Sequence, residues 1–361
     1  MKPGLQASAI AAALIVMCGA GMPASATQEK PTGQGFSFRS SVNLINVTAT
    51  VTDSQGHFVS GLTANDFEIY EDGKLQQITQ FESERVPVSL GIALDTSGSM
   101  AGERIAAAQG AVNRFLYDLL SDQDEVFLYR FDSRPQLVQG WTEDRRSLGR
   151  SINSMSAGGG TAMYDTVAEA IPLAQSGTRR KKALVVISDG NDTSSHTDVD
   201  ALRQRIRQTE VLIYAIGIDA SGSSSKSYAQ AASSAPSSAP PKSVPVPAAF
   251  PGAPVIQTPV KSNPNPPSSG RPSAGPHMNS GERLNTDALR SLTDDSGGRT
   301  EVIVSARDLD PATAGIASEL SRQYFIGYST SAPKDGKWHD IEVRVKKGNY
   351  TIRARKGFIS G

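Results

Sequence analysis

Oxygen donors of the kind that hard cations take occur at three places in the chain. Asp95-Thr96-Ser97-Gly98-Ser99 is a D-x-S-x-S run in which Gly98 permits a tight loop. Gly158-Gly159-Gly160-Thr161 is a flexible loop carrying one hydroxyl, and Ser188-Asp189-Gly190 supplies a second carboxylate. Asp95, Ser97, Ser99, Thr161 and Asp189 thus give two carboxylates and three hydroxyls, all oxygen. Mg²⁺ and Mn²⁺ suit such a set: Mg²⁺ takes six oxygens at about 2.1 Å in an octahedron and dehydrates reluctantly. Few charged ligands would leave the ion electrophilic, with an open position for a carboxylate from a partner. A lone D-x-S-x-S is a weak signal, and three ordinary polar loops that bind no cation are the bland alternative.

Other chemistries find less support. Cys18 is the single cysteine, which excludes an internal disulfide, a Cys-rich zinc module and an iron–sulfur site. The histidines, His57, His196, His277 and His339, never fall at metal-ligand spacing. No G-x-S-x-G, H-E-x-x-H or P-loop run occurs. Ser223 to Lys226 matches S-x-x-K but lacks its companions, so it reads as noise. Asp165 reads either as an acceptor behind the site or as a solvated or capping residue, and Asp132 and Arg134 read either as residues lining the site or, with better support, as a turn.

The elements around these loops are regular. Residues 88–94 form a buried strand that ends at Asp95, and 103–120 carry apolar residues at helical spacing. Residues 125–131, 183–188 and 211–217 are further apolar strands, while 163–174 and 200–208 are helical. Strand–helix alternation argues a parallel sheet with helices on both faces, where ligands bind outside the carboxyl ends of the strands. A short helix through Leu284, Leu289 and Leu292, a strand at 300–304 and a helix at 312–321 continue the pattern. About four β-strands precede it within 39–84, with turns at 53–56 and at Glu71-Asp72-Gly73, the latter flanked by 67–70 and 77–81. Strands return at 323–328, 339–345 and 350–355. The two β pieces sum to one small sandwich, with the α/β domain inserted between them; two separate small sheets are the alternative.

In that order and context, the five oxygen-bearing residues resemble the metal-ion-dependent adhesion site of von Willebrand factor A domains. The resemblance spans about 86–219, resumes over 284–320, and implies a doubly wound Rossmann-like fold. It implies that Ser97, Ser99 and Thr161 bind Mg²⁺ or Mn²⁺ through side-chain oxygens, with Asp95 and Asp189 acting directly or through water. The flanks, from Gly61-Leu62 to Gly73, Gln323 to Tyr328 and Arg353 to Phe358, look like a bacterial family of exported proteins carrying this domain.

At 361 residues the chain suits about two domains. Its 36 basic and 36 acidic residues balance, giving no reason to expect nucleic acid as a partner. A hydrophobic share of 38 % with 21 prolines and 33 glycines indicates a loop-rich portion. Residues 1–26 have the charged start, short apolar core and A-x-A exit of a secretory signal, so the mature chain is expected to be secreted or periplasmic, with no transmembrane segment. A lipid anchor on Cys18 is the rival reading. The expected organisation is a signal peptide at 1–26, β-strands at 36–85, the α/β domain at 86–320 with a disordered Ser/Pro/Ala-rich insertion at 220–280, and β-strands at 321–361. The expected function is a non-enzymatic adhesion or assembly module that captures an Asp or Glu carboxylate of a protein partner through the cation. A Mg²⁺-dependent hydrolase using the same donors, with His196 as the nearest base, and a metal-free structural protein are the alternatives.

Overall fold

A computed structural model of the protein describes residues 43–218 and 284–360. The expected signal segment, Cys18 and the 220–280 insertion lie outside the described residues.

A six-stranded sheet forms the α/β part, in the order β10-β9-β8-β5-β6-β7. Its strands are β5 (Val88–Asp95), β6 (Glu125–Phe131), β7 (Pro135–Thr142), β8 (Lys181–Ser188), β9 (Leu212–Ile218) and β10 (Thr300–Ile303). All are parallel except the edge strand β7, which runs antiparallel to β6. Every residue of β5 is buried, as expected of a central strand covered on both faces. Leu90, Ile92 and Leu94 meet one helical layer, built from α1 (Glu103–Arg114), α2 (Arg145–Asn153) and α6 (Leu309–Arg322). Ala93 and its neighbours on β6 and β8 meet α3 (Met163–Gln175), α4 (Val199–Arg207) and α5 (Thr286–Thr293). The doubly wound reading holds.

Two four-stranded antiparallel sheets complete the described fold. One has the order β13-β1-β11-β4 and the other β14-β12-β2-β3. The strands are β1 (Asn43–Thr52), β2 (Phe67–Glu71), β3 (Lys74–Gln76), β4 (Ile78–Glu82), β11 (Tyr324–Thr330), β12 (Trp338–Val345), β13 (Thr351–Arg353) and β14 (Gly357–Ile359). Strands from before and after the α/β part therefore pair directly, β1 with β11 and β2 with β12. Val47, Val51, Ile69, Tyr324, Ile326 and Phe358 fill the shared core between the two sheets.

The hairpin at Asp72-Gly73 has both residues at positive φ, 48° and 75°, the geometry of a two-residue turn matched to strand twist. Its second arm differs from the expected one. β3 pairs with β2, whereas β4, which holds most of 77–81, crosses to the other sheet and pairs with β11. The strand expected at 350–355 is shorter, Thr351–Arg353, and is followed by β14.

Glu319 on α6 joins the two parts. Its carboxylate is 1 % exposed and accepts from Thr50 of β1 (3.1 Å), Tyr214 of β9 (2.8 Å), Arg299 (3.0 Å), Gln323 (3.3 Å) and Arg353 of β13. Glu319→Ala would leave these donors without their acceptor. It should lower the unfolding free energy by about 3 kcal/mol, the low end for breaking a buried pair because both arginines keep some solvent contact. Urea melting reads this, and an unchanged midpoint would remove Glu319 from its joining role.

His339 lies in the other sheet, with Nδ1 2.8 Å from Asp72 and Nε2 3.5 Å from Asp335. The Asp72 contact, more than the opposing burial, raises its pKa above the ordinary 6.5. A raised histidine pKa contributes stability that is complete below the unfolded value and is lost as pH rises through the folded one. The His339 contribution to the unfolding free energy should therefore fall as pH rises past the ordinary histidine value of 6.5 and through the raised folded one, and His339→Gln should flatten that part of the profile.

Candidate functional site

The direction of winding reverses at β5. From β5 the chain moves outward through β6 and β7, then returns to the other side of β5 for β8, β9 and β10. The carboxyl ends of β5 and β8 thus flank the switch point, where an open α/β sheet leaves a crevice for ligands. Asp95 is the last residue of β5, and Asp189 directly follows β8.

Backbone hydrogen bonds stitch the loops together. The Gly98 amide donates to the Gly159 carbonyl (2.9 Å) and the Gly158 amide to the Thr96 carbonyl (2.8 Å). Gly159, with φ 84°, takes a conformation that L side chains rarely adopt, and a Cβ there would meet Ser133 Oγ at 3.0 Å. Thr161 is 4 % exposed; its carbonyl accepts from the Thr193 and Ser194 amides, and its own amide donates to Thr193 Oγ1 (3.0 Å). The D-x-S-x-S loop thereby fixes the glycine loop, and the glycine loop fixes the segment after Asp189.

Side chains converge on the same ground. The Asp95 carboxylate accepts from the Ser97 amide (2.8 Å) and from Ser188 Oγ (2.5 Å). Ser97 Oγ and Ser99 Oγ lie 3.0 Å apart. Asp95 is fully buried, and burial pushes its pKa up to about 6; the Ser188 and Ser97 donors pull it back, and the charge of Asp189 adds to the rise. Asp189, 9 % exposed, accepts from the Arg104 guanidinium at 3.2 Å, and the same nitrogen donates to the Ser99 carbonyl at 2.5 Å. The structure therefore brings together the loops carrying all five expected residues. Among the described residues, no three His, Cys, Asp or Glu side chains converge as a metal-binding group.

Neighbouring residues have supporting positions. Asp165 on α3 accepts from the His196 and Thr197 amides, which hold its pKa down near 2 against the effect of burial. That anchors the 195–197 segment to α3, and His196 itself is almost fully exposed. Asp192 similarly accepts from the Tyr164 amide in the first turn of α3 (2.8 Å). The turn reading of Asp132 and Arg134 fits the Asp132 amide to Arg134 carbonyl bond, and the Asp132 carbonyl accepts from the Ala162 amide. Arg104, Ser133 and Ser188 are additions that the sequence reading lacked. Ser188 was signalled by its place at a strand end beside Asp189, whereas Arg104 looks like any exposed residue of a first helical turn.

Residues 90–191 match the sequence profile of the von Willebrand factor type A domain. An alignment of 135 positions that covers 34 % of this chain is 25 % identical to human inter-alpha-trypsin inhibitor heavy chain H4, and the match spans 14 % of that protein. Similar solved structures include a von Willebrand factor type A protein from Catenulispora acidiphila, with 14 % identity, TM-score 0.44, and coverage of 89 % of this chain and 75 % of that one. The vWF domain of the type V pili tip protein Mfa5 from Porphyromonas gingivalis is 24 % identical with a TM-score of 0.29, covering 30 % and 40 %. With the profile match lying on the doubly wound sheet and its three stitched loops, the chain carries a domain of the von Willebrand factor type A family.

Proposed function

We propose that the protein is an exported binding module that captures an acidic group of a protein partner through a divalent cation, Mg²⁺ or Mn²⁺, held by Asp95, Ser97, Ser99, Thr161 and Asp189. In this reading 86–320 is the binding domain, 36–85 and 321–361 form its β-sandwich support, and 1–26 is removed on export.

The Ser97–Ser99 hydroxyl pair carries the proposal. Adjacent corners of an octahedron with bonds of about 2.1 Å lie about 3.0 Å apart, which is the separation of these two oxygens. The donor chemistry also fits. Hydroxyls and carboxylates are hard ligands, and the buried Asp95 has its charge opposed by desolvation, a penalty that a nearby cation relieves. Ser97, Ser99 and Thr161 would hold the ion through neutral oxygens, while Asp95 and Asp189 would supply its counter-charge. A bound cation would supply a Lewis-acidic position for a partner carboxylate. The stitched loops would keep the donors in place, so that little ordering is needed on binding.

Mg²⁺ or Mn²⁺ at a hundredfold excess over its dissociation constant should stabilise the folded chain by about 2.7 kcal/mol. Asp95→Asn is the informative control, because an amide keeps an acceptor for the Ser97 N–H and can donate to Ser188 Oγ in place of accepting from it, while losing the charge. The expected outcome is a metal-dependent rise in melting temperature of residues 27–361 that EDTA abolishes and that Asp95→Asn and Thr161→Ala lack. A melting temperature indifferent to metal in the unsubstituted protein would favour a structural role, and turnover that tracked the same substitutions would favour a hydrolase. Intact-mass measurement of the exported chain should find Thr27 at its start; a retained or lipidated Cys18 would overturn the assigned cleavage.

A further inference from the structure

Arg104 is the second residue of α1, which begins after Gly102 at φ 78°. One of its guanidinium nitrogens bridges the two loops that provide four of the five proposed cation ligands. It donates to the Ser99 carbonyl of the D-x-S-x-S loop and to Asp189 Oδ2 after β8. The Asp189 side chain is 8 % exposed, so this contact places the arginine charge directly on a buried carboxylate. The Arg104 side chain is itself 27 % exposed and lies at the rim.

We propose that Arg104 is a built-in counter-ion of Asp189 that competes with the divalent cation and thereby sets how tightly the site holds metal. The inference rests on the cation-binding reading above and adds a determinant of its affinity. The arginine supplies one positive charge to a cluster whose carboxylates, Asp95 and Asp189, number two. It satisfies part of the demand that would otherwise be met entirely by the ion. A cation drawn to Asp189 meets a like charge held within hydrogen-bond distance of the same oxygen. Binding must therefore either displace the guanidinium towards solvent, which its rim position allows, or proceed against its field. In both cases the arginine lowers metal affinity while stabilising the metal-free protein. Because guanidinium remains charged at all accessible pH, the competition is permanent. A partner carboxylate that pairs with the displaced guanidinium would gain a second contact beside the cation.

Isothermal titration of Mn²⁺ into residues 27–361 tests this with the unsubstituted protein, Arg104→Gln and Arg104→Lys, and with Asp95→Asn as the non-binding control. Glutamine keeps a donor for the Ser99 carbonyl but carries no charge. Arg104→Gln should bind Mn²⁺ about tenfold more tightly, within the usual range of coupling between two sites, and its metal-free form should melt below the unsubstituted protein. Arg104→Lys, which keeps the charge without the planar fork, should fall between the two, and it gives the reading if the glutamine variant does not fold. Equal or weaker binding by Arg104→Gln, with clear binding by the unsubstituted protein, would overturn the counter-ion role alone. No Mn²⁺ binding by any of the folded proteins would overturn the cation-binding reading, and this inference with it.

Discussion

The buried carboxylate of Glu319 is the constraint on which the arrangement of the two parts depends. A charge with 1 % exposure persists in a protein interior only where partners replace its lost water. Here those partners come from β1, β9, β13, the residue between α6 and β11 and the residue preceding β10. Apolar contact is non-directional and would tolerate sliding of one sheet over another. Hydrogen bonds to a single carboxylate impose distances and angles, so they select one relative placement. One residue further along α6, the Leu320 carbonyl accepts from the buried Lys181 of β8 at 2.7 Å, the lysine pKa pushed down to about 8 by desolvation. The end of α6 is thus pinned to the sheet and to the sandwich together.

At the opposite end of the sheet the same economy of polar groups operates differently. β5 and β8 run in register, Leu94 beside Ile187, so their last residues emerge side by side. Asp95 is then held by Ser97 and Ser188, one on its own loop and one on the neighbouring strand. The loops beyond it are joined by main-chain bonds between Thr96 and Gly158 and between Gly98 and Gly159. The backbone network sets where the residues of this cluster stand, and the contacts of Asp95 with Ser97 and Ser188 and of Ser97 Oγ with Ser99 Oγ then set their side chains. That distinguishes a connected polar cluster from a set of polar residues on independent loops.

Much of this was legible in the sequence because the relevant segments obey strong physical rules. Residues 183–187 form an apolar run that suits a strand buried on both faces, and Asp95 and Asp189 stand where such runs stop. Less legible was the stretch from Pro135 to Asn153, where the sequence reading had neither β7 nor α2. β7 is an edge strand of mostly half-buried residues, so it shows neither a clean alternation nor an apolar run. β3 was missed for a related reason: three largely exposed residues complete the hairpin, and the more apolar β4 beside them belongs to the other sheet. The contact of Arg104 with Asp189 depends on the approach of α1 to the end of β8, which no local pattern encodes.

The pairing of β1 with β11 also constrains how the chain can acquire its structure. Asn43 meets Thr330 across the ladder, and the whole parallel sheet lies between them in sequence. A chain appearing from its amino terminus presents β1 long before that partner exists, while the α/β part has its own strands close at hand. Long-range pairings of this kind slow folding, and unpaired strand edges invite association with other chains. The strands synthesised first are among the last that can be completed, so the vulnerable interval for this protein is the one between the folding of its centre and the arrival of its carboxyl-terminal strands.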